Sequence, residues 1–377
     1  MAVAALSKSA VKITKIRHKR SKPGLQAQHL EGVRLVNALC AGKLQNDKIG
    51  CTEVTFTPGQ QPLGRPRYLA DCQTAGSITL LIQISLPVLL LGTSTTTSDE
   101  VVVEYKGGTN VTFSPPLDHT MHVLLPLLAR MGLSCSLGLL RRGYYPRGGG
   151  AASLSIPTSA AADSSIISPL ILMDQGTITA VRGVVFGNGD RASEVKHELR
   201  RRLLVQMGTH LLSLLPTGVS LNVEVADEGE TTASSSSSSR DGTGVSVGQK
   251  RGRPDDGGGC GGGGGRQLNN VGAMLWLTTD TGCILTSNVL LQYAVKGEGS
   301  GTVIRGGEGD FVDAEHTKPP QLSSSSTRAT GTTDKYKPDA RLSQSLEQAA
   351  SVVVDDVSWL VSTGCCVDEH TADQDSR

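Results

Sequence analysis

The stretch Lys15-Ile-Arg-His-Lys-Arg-Ser-Lys-Pro-Gly-Leu-Gln-Ala-Gln-His-Leu30 carries the densest set of groups able to hold an anion. Arg17 and Arg20 leave an expected strand just before an expected helix. Guanidinium forks and the unpaired N–H groups of a helix start both suit phosphate oxygens. Around them Lys8, Lys12, Lys15, Lys19 and Lys22 meet no acid before Glu31, a local cationic patch with long-range attraction for phosphate. The competing reading is a solvated surface face, the usual fate of a charge run. The histidines are His18, His29, His119, His122, His197, His210, His316 and His370. His119 and His122 lie three residues apart on one expected helix, without a third metal ligand beside them in the sequence. No histidine is marked as a nucleophile by its neighbours.

Cys40, Cys51, Cys72, Cys135, Cys260, Cys283, Cys365 and Cys366 form no C-x-x-C motif with a matching second pair, which argues against a zinc site. Cys365 and Cys366 are adjacent and poorly placed to bridge each other, so mostly free thiols in a reducing intracellular compartment are expected. Gly257 to Gly265 lacks the Lys-Ser/Thr of a phosphate-binding P-loop. Lys250-Arg-Gly-Arg-Pro254 resembles the core of an AT-hook, and reads equally as a nuclear-import signal or a chance basic run; DNA is not the expected partner.

These groups need a frame. The net charge is only +1, which predicts no global attraction to polyanions, and with 3% aromatic residues the core must rest on Leu, Val and Ile. Val11 to Ile16 alternates as a strand and Pro23-Gly24 breaks it. Leu30, Val33, Val36 and Cys40 then share a helical face. Thr74-Ala-Gly-Ser77 opens a buried helix over the apolar run Ile78 to Leu91, too short for the ~20 residues a membrane helix needs. Val101 to Tyr105 is a strand. Asp118 is expected to cap a helix ending at Arg130, kinked or started by Pro126. Leu137 to Arg142 returns as a strand into a Gly-rich turn. Strands alternating with helices through short links predict a layered α/β or α+β domain.

Beyond Gly150 the texture changes. Residues 151–166 read as a linker. Ile178 to Phe186 and Val219 to Val225 read as strands around a helix carrying Val195, Leu199, Leu203, Met207 and Leu211. Residues 226–267 cannot bury enough apolar surface to order. Val271 to Thr279 and Cys283 to Val289 form a hairpin around Thr281-Gly282, and a second low-complexity stretch covers 296–340. A last helix is expected from Leu342 to Leu360, with Leu346, Ala350 and Val353 or Val354 on one side.

Several blocks together carry a resemblance. The stretch from Lys15 to Leu30, Gly50-Cys-Thr-Glu-Val-Thr-Phe-Thr-Pro58, Thr74 to Ser77, Gln83, Lys106-Gly-Gly-Thr-Asn110 and Gly143-Tyr-Tyr-Pro-Arg-Gly-Gly-Gly150 resemble, in order and spacing across residues 10–156, the RNA 3′-terminal phosphate cyclase family. The resemblance implies an α+β fold of repeated units, each with two helices on a four-stranded sheet, and a smaller inserted α+β domain. On that frame residues 1–166 are the first part of the large domain. Residues 167–292 are the insert, interrupted at 226–267; 293–340 is a linker; 341–377 returns to the large domain.

The resemblance also implies a mechanism. A histidine attacks the α-phosphate of ATP and releases pyrophosphate, the AMP passes to an RNA 3′-phosphate, and the neighbouring 2′-hydroxyl closes a 2′,3′-cyclic phosphate with loss of AMP. ATP, RNA 3′ ends and a divalent metal, Mg or Mn, are the implied ligands, the reaction belongs to the ATP-dependent ligases, and a nuclear RNA-processing role is expected; no membrane partner is. Family contacts to ATP carry over onto Gln83, Pro115, Asp373 and Gln374. His370 stands where the family has an adenine-stacking tyrosine, and Arg17 and Arg20 match arginines at the phosphate end. The family's acidic Gly-rich block, whose glutamate helps hold the metal, and its nucleophilic histidine, about twenty residues past the last block, have no counterparts at the expected positions. No catalytic or metal residue is therefore assigned, an incomplete or inactive copy is expected, and no acid-labile protein–AMP adduct should form with α-labelled ATP. The alternatives are a non-catalytic cyclase-like RNA-binding protein of ribosome biogenesis and a decaying copy.

Overall fold

The computed structural model describes residues 1–59, 63–92, 96–158, 167–189, 191–227, 268–294, 302–305 and 338–367. The fold is α+β, with three sheets among the described residues. The first is small and antiparallel, in the order β1 (Val11–Ile13), β3 (Val54–Thr57), β2 (Lys43–Gln45). β1 is shorter than the alternation predicts, because Lys15 and Arg17 turn into left-handed backbone at φ 56° and 51°. Helix α1 (Ala2–Leu6) precedes it, and α2 (Ala27–Leu39) follows, burying Leu30, Val33 and Val36 of the expected face, with Leu39 also buried and Cys40 as the C-cap.

The second sheet has the order β4 (Arg67–Asp71), β5 (Glu100–Gly107), β7 (Gly150–Pro157), β6 (Ser136–Arg141). β4 and β5 are parallel and joined by α3 (Ile78–Leu91); the other pairs are antiparallel. α3 is apolar on nearly every side because α1, α2 and the sheet enclose it. Ser77 caps it, its side chain accepting from Leu80 N at 3.4 Å. Pro87 lies inside α3 and has no N–H to offer the Gln83 carbonyl one turn earlier.

The next helix departs from expectation. It runs as α4 (Leu117–His119), a π-helical turn Thr120–Leu124, and α5 (Leu125–Arg130). The wide turn absorbs the register break that Pro126, lacking a donor, imposes. Asp118 is not its cap: Pro116 holds that position, and the Asp118 carboxylate turns inward to an arginine.

The third sheet has the order β12 (Thr302–Arg305), β11 (Ile284–Ala294), β10 (Leu268–Thr279), β8 (Ile178–Asn188), β9 (Ser220–Val225). β8 and β9 are parallel across α6 (Ala192–Gln206), and β10 and β11 are the expected hairpin. β12 is a strand within the stretch read as low complexity. α7 (Ala340–Thr363), assigned with residues 1–166 by the resemblance, lays Leu346, Ala350, Val353, Val354, Val357 and Leu360 into one core with Val195, Leu199 and Leu203 of α6. Arg202 ties the two helices, donating to Ser343 O at 2.7 Å and Glu347 at 2.8 Å. Two helices thus cover one face of this sheet. No helix among the described residues is long and apolar enough to cross a membrane.

Candidate functional site

Four loops converge at one end of the second sheet. The first, after β1, is clamped to the residues before β3: Ile16 N donates to Thr52 O at 2.9 Å, and Gly24 N returns to Ile16 O at 2.9 Å. Gly24 has φ 81°, and a Cβ there would stand 2.2 Å from Gly50 O, so only glycine closes this loop. Arg20 N donates to Arg17 O at 3.0 Å, placing both arginines on one turn. Arg17 Nη1 donates to the carbonyls of Lys22 and Gly24, so part of its fork shapes the loop. Its charge also reaches His29, whose imidazole is held below the ordinary histidine range by burial first and by Arg17 second. Lys12, part of the cationic run, pairs with Glu53 at 3.0 Å.

The second loop joins β4 to α3. Gln28, at the start of α2, accepts from Ser77 N at 2.7 Å, which couples the Arg17 side of the site to the α3 N-terminus. The third follows β5: Gly108 N donates to Gly76 O at 2.8 Å and Ile78 N to Gly108 O at 2.9 Å. The fourth is the 142–150 turn. Thr109 N donates to Gly143 O at 2.8 Å, Gly143 N to Thr109 Oγ1 at 3.0 Å, and Arg141 Nε to Gly149 O at 2.6 Å. The glycines permit backbone-to-backbone contact: a Cβ on Gly107 would lie 2.3 Å from Gly76 O, and one on Gly148 2.5 Å from Thr74 O. Thr79 Oγ1 donates to Pro115 O at 3.0 Å. Gln83, exposed one turn further along α3, therefore lies on the helix face that meets the Pro115 loop. His370, Asp373 and Gln374 lie outside the described residues, as do Lys250 to Pro254.

Beneath the loops lies a buried polar network that local sequence patterns do not reveal. Arg142 Nη1 and Nη2 each meet an Asp118 carboxylate oxygen at 2.7 Å, the two side chains being only 7% and 4% exposed. Asn110 Nδ2 donates to Asp118 at 3.2 Å, and Arg142 Nη1 donates to Asn110 Oδ1 at 3.2 Å. The Arg142 guanidinium sits 5.0 Å above the Phe186 ring, and His122 stacks on Trp276 at 4.3 Å with the planes 6° apart. This network therefore joins the second sheet to the third. Asn270 Nδ2 to Tyr145 O, at 3.1 Å, adds a further link. Phe113, which the sequence reading did not single out, and Tyr145 of the Gly143–Gly150 block stand 67% and 50% exposed on the loops, a disposition that suits base stacking.

His122 makes this junction pH-sensitive. Burial, the largest influence, lowers its imidazole; Arg142 and Arg182 lower it further, against Asp118 and Glu224. A histidine lowered in the folded state binds fewer protons there than when unfolded. Its contribution to stability is present above its ordinary value of about 6.5 and lost as pH falls below it. The melting temperature should drop as pH falls below about 6.5, and His122→Gln should flatten part of that drop; an unchanged slope would remove His122 from the cause.

Among the described residues no group of three His, Cys, Asp or Glu side chains is placed to hold a metal ion. A cavity of about 370 Å³ lined by Asn37, Arg65 and Tyr68 lies toward the other end of α2 and contributes no residue to the four loops.

A family model described as RNA 3′-terminal phosphate cyclase matches residues 1–375. The protein of that name from Methanococcoides burtonii is 38% identical over 159 residues, 42% of this chain and 46% of that protein. That from Desulfurococcus amylolyticus is 35% identical over 182 residues, 48% of each chain. That from Nitrosospira multiformis is 43% identical over 150 residues, 40% of each. The chain spans about half the length of the curated relatives it matches.

Proposed function

Since the chain belongs to the RNA 3′-terminal phosphate cyclase family, we propose that it binds the ligands of the ATP-dependent conversion of an RNA 3′-phosphate into a 2′,3′-cyclic phosphate, as an incomplete or inactive copy in which no residue is assigned as the adenylated nucleophile. The observation that carries this reading is the convergence of residues 16–29, 72–77, 106–117 and 142–150, far apart in sequence, on one glycine-lined end of one sheet. Such an end offers backbone N–H groups and close approach, and the Arg17–Arg20 turn adds cations, which is what a phosphate needs.

In this reading Arg17 and Arg20 hold the phosphate-bearing RNA end, and Phe113 and Tyr145 stack its bases. Gln83 and Pro115 flank the adenine of ATP, and His370, Asp373 and Gln374, outside the described residues, are the further ATP contacts that the family resemblance implies. In the family's reaction the α–β bond of ATP breaks with release of pyrophosphate and the AMP passes to the 3′-phosphate, giving a phosphoanhydride; the 2′-hydroxyl, losing its proton, then attacks the RNA phosphorus and expels AMP. A divalent cation, Mg or Mn, would neutralise triphosphate charge and is assigned no ligand among the described residues. A nuclear site of action belongs to the same proposal.

The test uses the full chain and labelled ligands. Arg17→Ala and Arg20→Ala should each weaken binding to a 3′-phosphorylated oligonucleotide and reduce the salt slope by about 1. Gln83→Ala should weaken ATP binding and leave RNA binding in place. A salt slope unchanged in both arginine variants would return that turn to a merely solvated face.

A further inference from the structure

A second cluster of reactive groups lies away from the four loops, where α7 ends. Gly364, at φ 70°, stops the helix, and Val367 then makes a parallel bridge to Ile284, the first residue of β11. Cys366 and Cys283 each stand one residue before that bridge and so are neighbours across it, the Cys283 thiol donating to Asp174 O at 3.4 Å. Adjacent paired strands lie about 4.8 Å apart, inside the window of about 4.4–6.8 Å between Cα atoms that a disulfide spans.

The surrounding bonds hold this arrangement in place. Gln175 Nε2 donates to Leu360 O at 2.9 Å and to Cys365 O at 2.6 Å, and its own carbonyl accepts from Thr281 Oγ1 at 2.7 Å. Cys283 N donates to Thr279 Oγ1 at 3.0 Å. The end of α7 and the β10–β11 turn are thus both fastened to one residue. Cys365 faces elsewhere, its sulfur 3.1 Å from the Thr363 hydroxyl. Cys283 is 0% exposed, so reagents reach the pair only through the partly exposed Cys366.

We propose that Cys283 and Cys366 are a redox pair that closes to a disulfide, with a small-molecule disulfide of the glutathione type as oxidant, and so pins the end of α7 to the β10–β11 turn. Cys366, its proton released to water, attacks one sulfur of oxidised glutathione. The glutathione S–S bond breaks, and one glutathione thiolate leaves and takes up a proton. Cys283, likewise deprotonated, attacks the Cys366 sulfur of the mixed disulfide. The protein S–S bond forms, and the second glutathione leaves and is protonated. Two protein thiols are oxidised by two electrons, and one glutathione disulfide is reduced to two thiols.

The full chain, incubated with reduced or with oxidised glutathione, alkylated and digested, gives the answer by peptide mass mapping. A Cys283–Cys366 cross-linked peptide is expected, reversed by dithiothreitol, retained in Cys365→Ser and lost in Cys366→Ser. Cys366→Ser carries the comparison because its position is partly exposed, whereas Cys283→Ser alters a buried site. Oxidation should also raise the melting temperature of the wild type by roughly 5 °C, since the cross-link closes a long loop in the unfolded chain, and leave Cys366→Ser unchanged. A Cys365–Cys366 bridge, glutathione adducts without a cross-link, or fully alkylated thiols would overturn the pairing; a cross-link without a thermal shift would overturn the pinning.

Discussion

Arg142→Met should destabilise the fold by about 3–5 kcal/mol, the cost of leaving a buried carboxylate without its partner. Asp118 is 3% exposed, and the Arg142 fork meets both of its oxygens at 2.7 Å. Burial alone, the largest single influence, would push the Asp118 carboxyl up. The Arg142 hydrogen bonds and charge, with Asn110 and His122 behind them, outweigh it and hold the group below the ordinary carboxylate range. A carboxyl depressed in the folded state stabilises above its ordinary value, about 3.9, and that stability is lost as pH falls through the depressed one. Urea unfolding near neutral pH should therefore show the full loss in Arg142→Met. The paired variant Asp118→Leu with Arg142→Met should recover much of it, because removing both charges removes the orphan. A double variant as unstable as the single one would mean that packing against Phe186, and not charge pairing, sets the cost.

Gly143→Ala is the second large effect expected. A Cβ at this position would stand 2.1 Å from Gly150 N and 2.5 Å from Gly107 O, both backbone atoms that no rotamer change can move aside. Overpacking of this kind costs about 3 kcal/mol. It would also part Gly143 from Thr109, and with them the third loop from the fourth. Melting temperature and RNA binding should fall together. Gly208→Ala is the control: nothing lies within 4 Å of its Cβ position, and both quantities should stay put. A Gly143→Ala protein as stable as wild type would show that the two loops separate without loss.

Features set by local chemistry could be read from the chain alone. The α2 face, the Ser77 start of α3 and the Thr281-Gly282 hairpin follow from periodicity, capping and turn residues acting over a few positions. The glycine-rich blocks were visible as blocks, because each needs several small residues in a row. The partnerships between distant positions were not. Asp118 before an apolar run has the appearance of a cap, and only the fold brings Arg142, a helix and a strand later, to its carboxylate. Arg17 could be read as a phosphate fork, but its bonds to Lys22 and Gly24 depend on how the loop closes. Cys283 and Cys366 are neighbours only because α7 covers the third sheet and ends at its hairpin.

The glycine-lined end and the Arg17–Arg20 turn are proposed to recognise one chemical group, a phosphate at an RNA 3′ end. Equilibrium binding of the full chain to two oligonucleotides of one sequence, ending in a 3′-phosphate or a 3′-hydroxyl, tests this most directly when both are measured at one salt concentration. The 3′-phosphate form should bind about tenfold tighter, a difference of about 1.4 kcal/mol, and Arg17→Ala with Arg20→Ala should abolish the preference. Equal affinity for the two ends in the wild-type chain would contradict the account.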